Sequence, residues 1–277
     1  TSPDQMHKRL AKEFARIEHK YKESESKSKL ENLSNYGKSL NKKLRVATPK
    51  EINDHIYELF KDFKYIIPQG SIMSNLGNKA ITSLSNCFVI GQPTDSYGGI
   101  CKKDEEMVQL MKRRGGVGLD LSTLRPAKTL VSNAAKTSTG VVSFMHRYSN
   151  STREVAQDGR RGALMLSIDI NHPDSLDFIK IKRDLSQVTG ANISVKISEE
   201  FMKAIENNED YILRFPCTAQ LSEMYWETDN TADKGFEGFN LNELYQVSQG
   251  NSEKVYIKRI KAKEYWNEII KSAHGSA

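Results

Sequence analysis

Residues 101–121 read CKKDEEMVQLMKRRGGVGLDL. A helical stretch over Asp104–Arg114 runs into a glycine cluster and then into a short strand, Gly118–Leu121. The same texture recurs on both sides. Strand candidates lie at Cys87–Ile90, Leu164–Ile170, Ile193–Ile197 and Tyr211–Phe215, and helices fill Val141–Ala156, Asp174–Lys182 and Glu199–Asn207. Ser198 caps the last of these, with Glu199 and Glu200 in the first turn, where negative charge meets the positive end of the helix dipole. Strand, helix, strand at this spacing argues for parallel strands joined by right-handed crossovers. Element order alone admits either an α/β barrel or an open α/β sheet.

Before this region the sequence is helical. Ser2 serves as a cap and Pro3 as the first helical residue, after which Met6, Leu10, Phe14, Ile17 and Tyr21 recur at helical spacing. From Lys22 to about Val46 the chain is rich in Lys, Ser, Asn and Glu, which suits an exposed connection or weak helix. A second helix starts at Thr48, with Pro49 in the first turn and Glu51 three residues after the cap, the pattern of a capping box. It is expected to bury Ile52, Ile56, Leu59 and Phe63. The predicted organisation is an N-terminal helical region with a polar linker over 1–64 and an α/β region over 65–277. Within the latter, Thr218–Ser252 is polar and weakly periodic, and Ala262–Ser272 resumes a helix before the chain ends at HGSA.

The 277 residues, with 38% hydrophobic and 27% charged side chains, have ordinary globular usage. No stretch approaches the roughly 18 consecutive apolar residues of a membrane span, and the opening TSPDQMHKRLAKEF has neither an apolar signal core nor an initiator Met. Thr1 is therefore read as a processed or chosen start and the chain as cytoplasmic. A net charge of +6, concentrated before Tyr65, either steers anions or forms a solvated lysine-rich face. Three widely spaced cysteines, without a CxxC or Cys/His cluster, indicate neither zinc nor a disulfide framework.

Few residues speak for chemistry one at a time. Arg113-Arg114-Gly115-Gly116-Val117-Gly118 follows a helix and precedes a strand, the reverse of a dinucleotide fingerprint. It is either an anion-approaching backbone with flanking charge or a plain tight turn. Gln157-Asp158-Gly159-Arg160-Arg161-Gly162 puts two guanidinium groups on a loop, suited to phosphates and base edges or simply to solvent. Cys87, Cys101 and Cys217 read, residue by residue, as small buried hydrophobes. His172, before Pro173 at a helix start, reads as a capping or packing residue.

As an ordered set the strings are far more specific. SLSNCFVIG (Ser83–Gly91), DSYGGI (Asp95–Ile100), KRRGGVGLDLSTLRP (Lys112–Pro126), STGVVSFMHRYSNSTREVAQDGRRGALML (Ser138–Leu166), HPDSLDFI (His172–Ile179) and TGANISVKISEEFM (Thr189–Met202) resemble, in order and spacing, the catalytic large chains of ribonucleotide reductases. The opening helix and AKEYWNEIIKSA resemble the adenosylcobalamin-dependent members most. The resemblance implies the first half of a ten-stranded α/β barrel preceded by a small helical region. It places one half of the reducing thiol pair on Cys87, and substrate contacts on Ser71, Asn86 and Gly116. A deoxynucleoside triphosphate or ATP effector falls on Asp95, Ser96 and Arg125. A specificity loop falls on Gln157, Asp158, Gly159, Arg160, Arg161 and Gly162, in which Gln157 and Arg161 read the substrate base.

The family's radical cysteine, in an Asn-x-Cys-x-Glu motif, has no match here, nor does the second reducing cysteine. The resemblance therefore implies a carboxy-terminal half that carries them, with most of the cobalamin site, and a fragment inactive by itself. It also implies a ribonucleotide substrate, thioredoxin or glutaredoxin as reductant and a homodimer, with no nucleic-acid or membrane partner. No ATP-cone signature stands near the start. Two other readings compete: the large subunit of an iron-dependent reductase, and a non-catalytic nucleotide- or nucleic-acid-binding module.

Overall fold

A computed structural model of the chain describes residues 2–32, 48–129, 131, 133–157, 160–216, 245–247 and 254–275. The chain divides into two compact units, Thr1–Asn86 and Cys87–Ala277.

The first unit contains α1 (Pro3–Asn32), α2 (Pro49–Phe60) and α3 (Gly70–Asn75). The capping box at α2 forms as expected. Thr48 Oγ1 accepts the Glu51 N–H at 3.3 Å, and Glu51 Oε2 accepts the Thr48 N–H at 2.8 Å. Leu10, Phe60 and Leu76 make the core, with Met6, Phe14, Ile56, Ile72 and Met73 packed around them. Two expectations shift. The buried side of α1 is His7, Leu10, Ala11 and Ala15, while Tyr21 is exposed. On α2 the deep aromatic is Phe60, since the helix ends there and Phe63 swings out to the surface with φ +54. The helix also persists through the lysine-rich segment as far as Asn32.

The second unit is built on four parallel strands, β1 (Cys87–Val89), β2 (Gly116–Asp120), β5 (Leu164–Asp169) and β6 (Asn192–Lys196), in the order β1-β2-β5-β6. The connecting helices are α4 (Tyr97–Met111), α5 (Val141–Glu154) and α6 (Ser175–Lys180), and α7 (Glu199–Glu206) follows β6. Between α5 and β5 lies a two-residue ladder, β3 (Ala156–Gln157) against β4 (Arg160–Arg161). Helix α4 begins seven residues before the expected Asp104. Gly98 and Gly99 have low helix propensity, but Ser96 caps the helix by accepting the Gly99 N–H at 3.0 Å.

Pairing registers put Phe88, Val117, Leu119, Leu164, Leu166, Ile168, Ile193 and Val195 on one face of the sheet. That face packs against Met107 and Met111 of α4, Val141, Met145 and Tyr148 of α5, and Phe178 of α6. Burial of each such side chain contributes about 1.5–3 kcal/mol. The sheet is open among the described residues, with β1 and β6 at its edges, and does not close into a barrel.

The last expected strand corrects the parallel scheme. It forms as β7 (Asp210–Pro216), but pairs antiparallel with β9 (Lys254–Lys261), which also pairs with β8 (Tyr245–Val247). The cause is burial. Tyr211 and Leu213 pack with Phe201, Ala204, Ala262 and Tyr265 in a second core, and β9 leads directly into α8 (Ala262–Gly275), which covers it. β9 itself was not expected, because KVYIKRIK lacks a clean two-residue alternation.

Candidate functional site

All-parallel sheets are normally covered on both faces. Here the second face carries Cys87 and Val89 of β1, Gly116, Gly118 and Asp120 of β2, Met165, Ser167 and Asp169 of β5, and Asn192, Ser194 and Lys196 of β6. Among the described residues it is bare: Val89 is 91% exposed and Met165 42%. Cys87 is exposed on this face and lies in register with Gly116, so the thiol stands beside a position without a side chain. Exposure corrects the reading of Cys87 and Cys101 as buried hydrophobes; Cys217 lies outside the described residues.

The glycine cluster is not a phosphate loop. Gly116 and Gly118 belong to β2. Gly115 is a packing glycine, since a Cβ there would lie 2.7 Å from the Phe88 ring. Arg113 closes its own helix end, donating to the Gln109 carbonyl at 2.7 Å.

At the carboxyl ends of the strands the bare face is ionic. Lys196 Nζ lies 2.6 Å from Asp120 Oδ2 and 3.1 Å from Asp169 Oδ1, and Ser122 and Gln92 also donate to Asp120. Burial pushes the Asp120 carboxyl up, but the hydrogen bonds from Lys196, Ser122 and Gln92 outweigh it and hold it below the usual range. Sequence reasoning missed this cluster, whose members are far apart in the chain.

A cavity of about 220 Å³ gathers Asp95, Ser96 and Arg125 with Tyr97, Ile100, Phe144, Thr137, Ser138 and Thr139. Its polar residues come from loops after β1 and β2 and from the segment leading into α5, outside the carboxyl ends of the strands, where α/β sheets bind ligands. Asp95 uses both oxygens on Arg125, accepting the backbone N–H at 3.0 Å and Nε at 2.8 Å. Ser96 and Tyr97 mark the start of α4, so a partial positive charge from the helix end adds to the guanidinium. Tyr97 and Phe144 meet edge to face at 6.1 Å and supply an apolar wall. An anion with a planar apolar group matches this lining. A corrinoid does not fit so small a space, and no described residue is assigned to one.

The structure thus brings Asp95, Ser96 and Arg125 together, and sets Cys87 beside Gly116. Ser71 and Asn86 meet in the first unit, where Ser71 Oγ donates to Asn86 Oδ1 and Asn86 Nδ2 donates to Gln69 Oε1 at 2.6 Å. Gln157, Arg160 and Arg161 lie in the β3–β4 ladder, which leads through Gly162 into β5; Asp158 and Gly159 lie outside the described residues. His172 packs against Phe215, in keeping with a packing role. Burial pushes its imidazole below the usual range. Its neighbour Asp174 was missed, although the HPD tripeptide between a strand and a helix was a signal. Burial raises the Asp174 carboxyl, against the pull of the backbone N–H groups it accepts. Among the described residues no group of three or more His, Cys, Asp or Glu could hold a metal, and no helix is long and apolar enough to cross a membrane.

Fold and site together define a parallel α/β domain with a thiol on the bare face of its sheet and a polar pocket at the strand ends. Residues 85–277 match the family model for the ribonucleotide reductase barrel domain, and the chain belongs to that family. It is 32% identical over 157 residues, 56% of this chain, to the vitamin B12-dependent ribonucleoside-diphosphate reductase of Mycobacterium tuberculosis (strain CDC 1551 / Oshkosh), covering 22% of that protein. It is 29% identical over 76% of its length to the enzyme of the same name from Thermoplasma acidophilum, covering 23% of it. The large subunit of the ribonucleoside-diphosphate reductase of Caenorhabditis elegans is 24% identical over 68% of this chain, again covering 23%. The chain spans less than a quarter of the length of each of these relatives.

Proposed function

We propose that the chain is part of the catalytic subunit of a ribonucleotide reductase that converts ribonucleoside di- or triphosphates to deoxyribonucleotides. The observation that carries this reading is Cys87, an exposed thiol on the bare sheet face, in register with Gly116, inside the region that matches the reductase barrel. Reduction at C2′ breaks a C–O bond and forms a C–H bond. The hydroxyl leaves as water, and two thiols supply two electrons and two protons and end as a disulfide.

In this reading Cys87 is one of the two thiols, and Gly116 leaves room for the ribose, with Ser71 and Asn86 as further substrate contacts. Asp95, Ser96 and Arg125 hold a deoxynucleoside triphosphate or ATP effector, and residues 157–162 relay its identity to the substrate base. The second reducing cysteine and the radical cysteine lie outside these 277 residues, which hold no Asn-x-Cys-x-Glu motif, so the chain alone does not turn over. Thioredoxin or glutaredoxin reduces the disulfide, and the working enzyme is a homodimer in the cytoplasm. Adenosylcobalamin, by analogy with the named relatives, would supply the initiating radical.

A large subunit of the iron-dependent type is the second reading, kept because the chain is also similar to a Caenorhabditis elegans protein named only as a large subunit, without vitamin B12 in its name. Activity of the intact protein with and without adenosylcobalamin separates the two. For the common core of both, Cys87→Ser should abolish multiple turnover with thioredoxin as reductant, and normal turnover by that variant would refute the assignment.

A further inference from the structure

Two side chains that do not line the pocket hold the backbone of the segments that do. Asp174 is 6% exposed and His172 2%, and both come from the loop after β5. Asp174 accepts the Ala127 N–H with both oxygens, at 3.1 and 2.9 Å, and the Val141 N–H with Oδ2 at 2.9 Å. His172 Nε2 donates to the Leu124 carbonyl at 2.8 Å, and its Nδ1 accepts the Asp174 N–H at 3.0 Å, which fixes the neutral Nε2–H tautomer. The backbone is therefore pinned at Leu124 and Ala127, on both sides of Arg125 and Pro126. It is pinned again at the first residue of α5, directly after Ser138 and Thr139 of the lining. Gly140 completes the fit, with φ +78 and a missing Cβ that would lie 2.5 Å from Asp174 Oδ2.

We infer that His172 and Asp174 are positioning residues for the anion pocket, setting where Arg125 stands relative to the start of α5. The inference rests on the reading of that pocket as a nucleotide site. A carboxylate suits the task because Oδ2 accepts from both chain segments while Oδ1 also faces the Ala127 N–H. An amide keeps one acceptor and turns an N–H₂ toward one of these N–H groups.

Calorimetric titration of the intact protein with dATP and dTTP tests it, comparing Asp174→Asn and His172→Ala with wild type, each also in an Arg125→Ala background. Losing a charge-assisted bond should weaken nucleotide binding by about tenfold or more. If the node acts through Arg125, the same change in the Arg125→Ala background should alter affinity less than about twofold, the non-additivity of coupled sites. A purely structural role would lower the melting temperature equally in both backgrounds without this coupling. His172→Gln, which keeps a donor for the Leu124 carbonyl, should recover part of the affinity lost in His172→Ala, and it keeps the test open where an Asp174 variant fails to fold. Wild-type binding with unchanged affinity in the variants, or with equal losses in both backgrounds, overturns the positioning role and leaves the pocket reading standing. No binding by wild type overturns the pocket reading, and this inference with it.

Discussion

The two faces of the β1-β2-β5-β6 sheet come from the same strands, yet obey opposite rules. One face presents Leu119, Leu166 and Ile168, all nearly or fully buried under α4, α5 and α6. The other presents glycines, serines, one thiol and an ionic cluster, with Val89 and Met165 open to solvent. A face left without apolar cover and stocked with small and polar side chains does little for folding. The covered face makes the domain stable, and the bare face and the pocket at the strand ends beside α4 and α5 are where chemistry can sit.

The widest separation between the faces should appear at Cys87. Cys87→Ser is expected to remove turnover in the intact protein while leaving thermal unfolding unchanged, as for most exposed substitutions. A large drop in melting temperature would show that the thiol is structural and break the contrast. On the covered face the order of effects reverses. Leu166→Ala should cost about 2–5 kcal/mol of stability, whereas Met165→Ala, one residue along and on the bare face, should stay within about 1 kcal/mol. Denaturant unfolding of the pair checks this directly, and equal losses would mean that both faces are buried in the intact protein.

Arg125→Ala should weaken effector binding by about 1.5–3 kcal/mol, the range for hydrogen bonds to charged groups, with little change in stability. Calorimetry reads the first and thermal unfolding the second. The smallest effect belongs to the ionic end of the bare face. Because the Asp120 carboxyl is held below its ordinary value of 3.8 in the folded chain, the unfolded chain takes up the proton first as pH falls. The contribution of Asp120 is thus complete above about pH 3.8 and is lost below it, as pH falls toward the depressed folded value. Lys196→Met should flatten that acid limb of a stability–pH profile, and an unchanged limb would show that Lys196 does not hold the carboxyl down.

Sequence reading reached furthest where the physics is local. The Thr48 capping box, the Ser198 cap and the four parallel strands were legible because capping needs particular side chains at fixed offsets, and buried strands need short apolar runs bounded by turns. Resemblance added Cys87 and the set Asp95, Ser96 and Arg125, but nothing in the chain order says that a loop after β1 and a loop after β2 meet at a 2.8 Å ion pair. The start of α4 was missed because Gly98 and Gly99 break helices by propensity, and a cap at Ser96 overrode them. β9 was missed because its pairing with β7 spans about forty residues, and its pattern has meaning only once Tyr211 is seen opposite Ile260.

By itself the sequence determined the family, the parallel α/β texture and the identity of the exposed thiol strand. Those depend on residue types at short spacing, which a chain displays before it folds. Tertiary structure alone decided that the sheet is covered on one face, that β7 leaves it for an antiparallel partner, and that Asp174 ties the Ala127 backbone to the start of α5. Each of these is set by which distant segments share a core or a hydrogen bond, and burial and pairing across such separations leave no periodic mark along the chain.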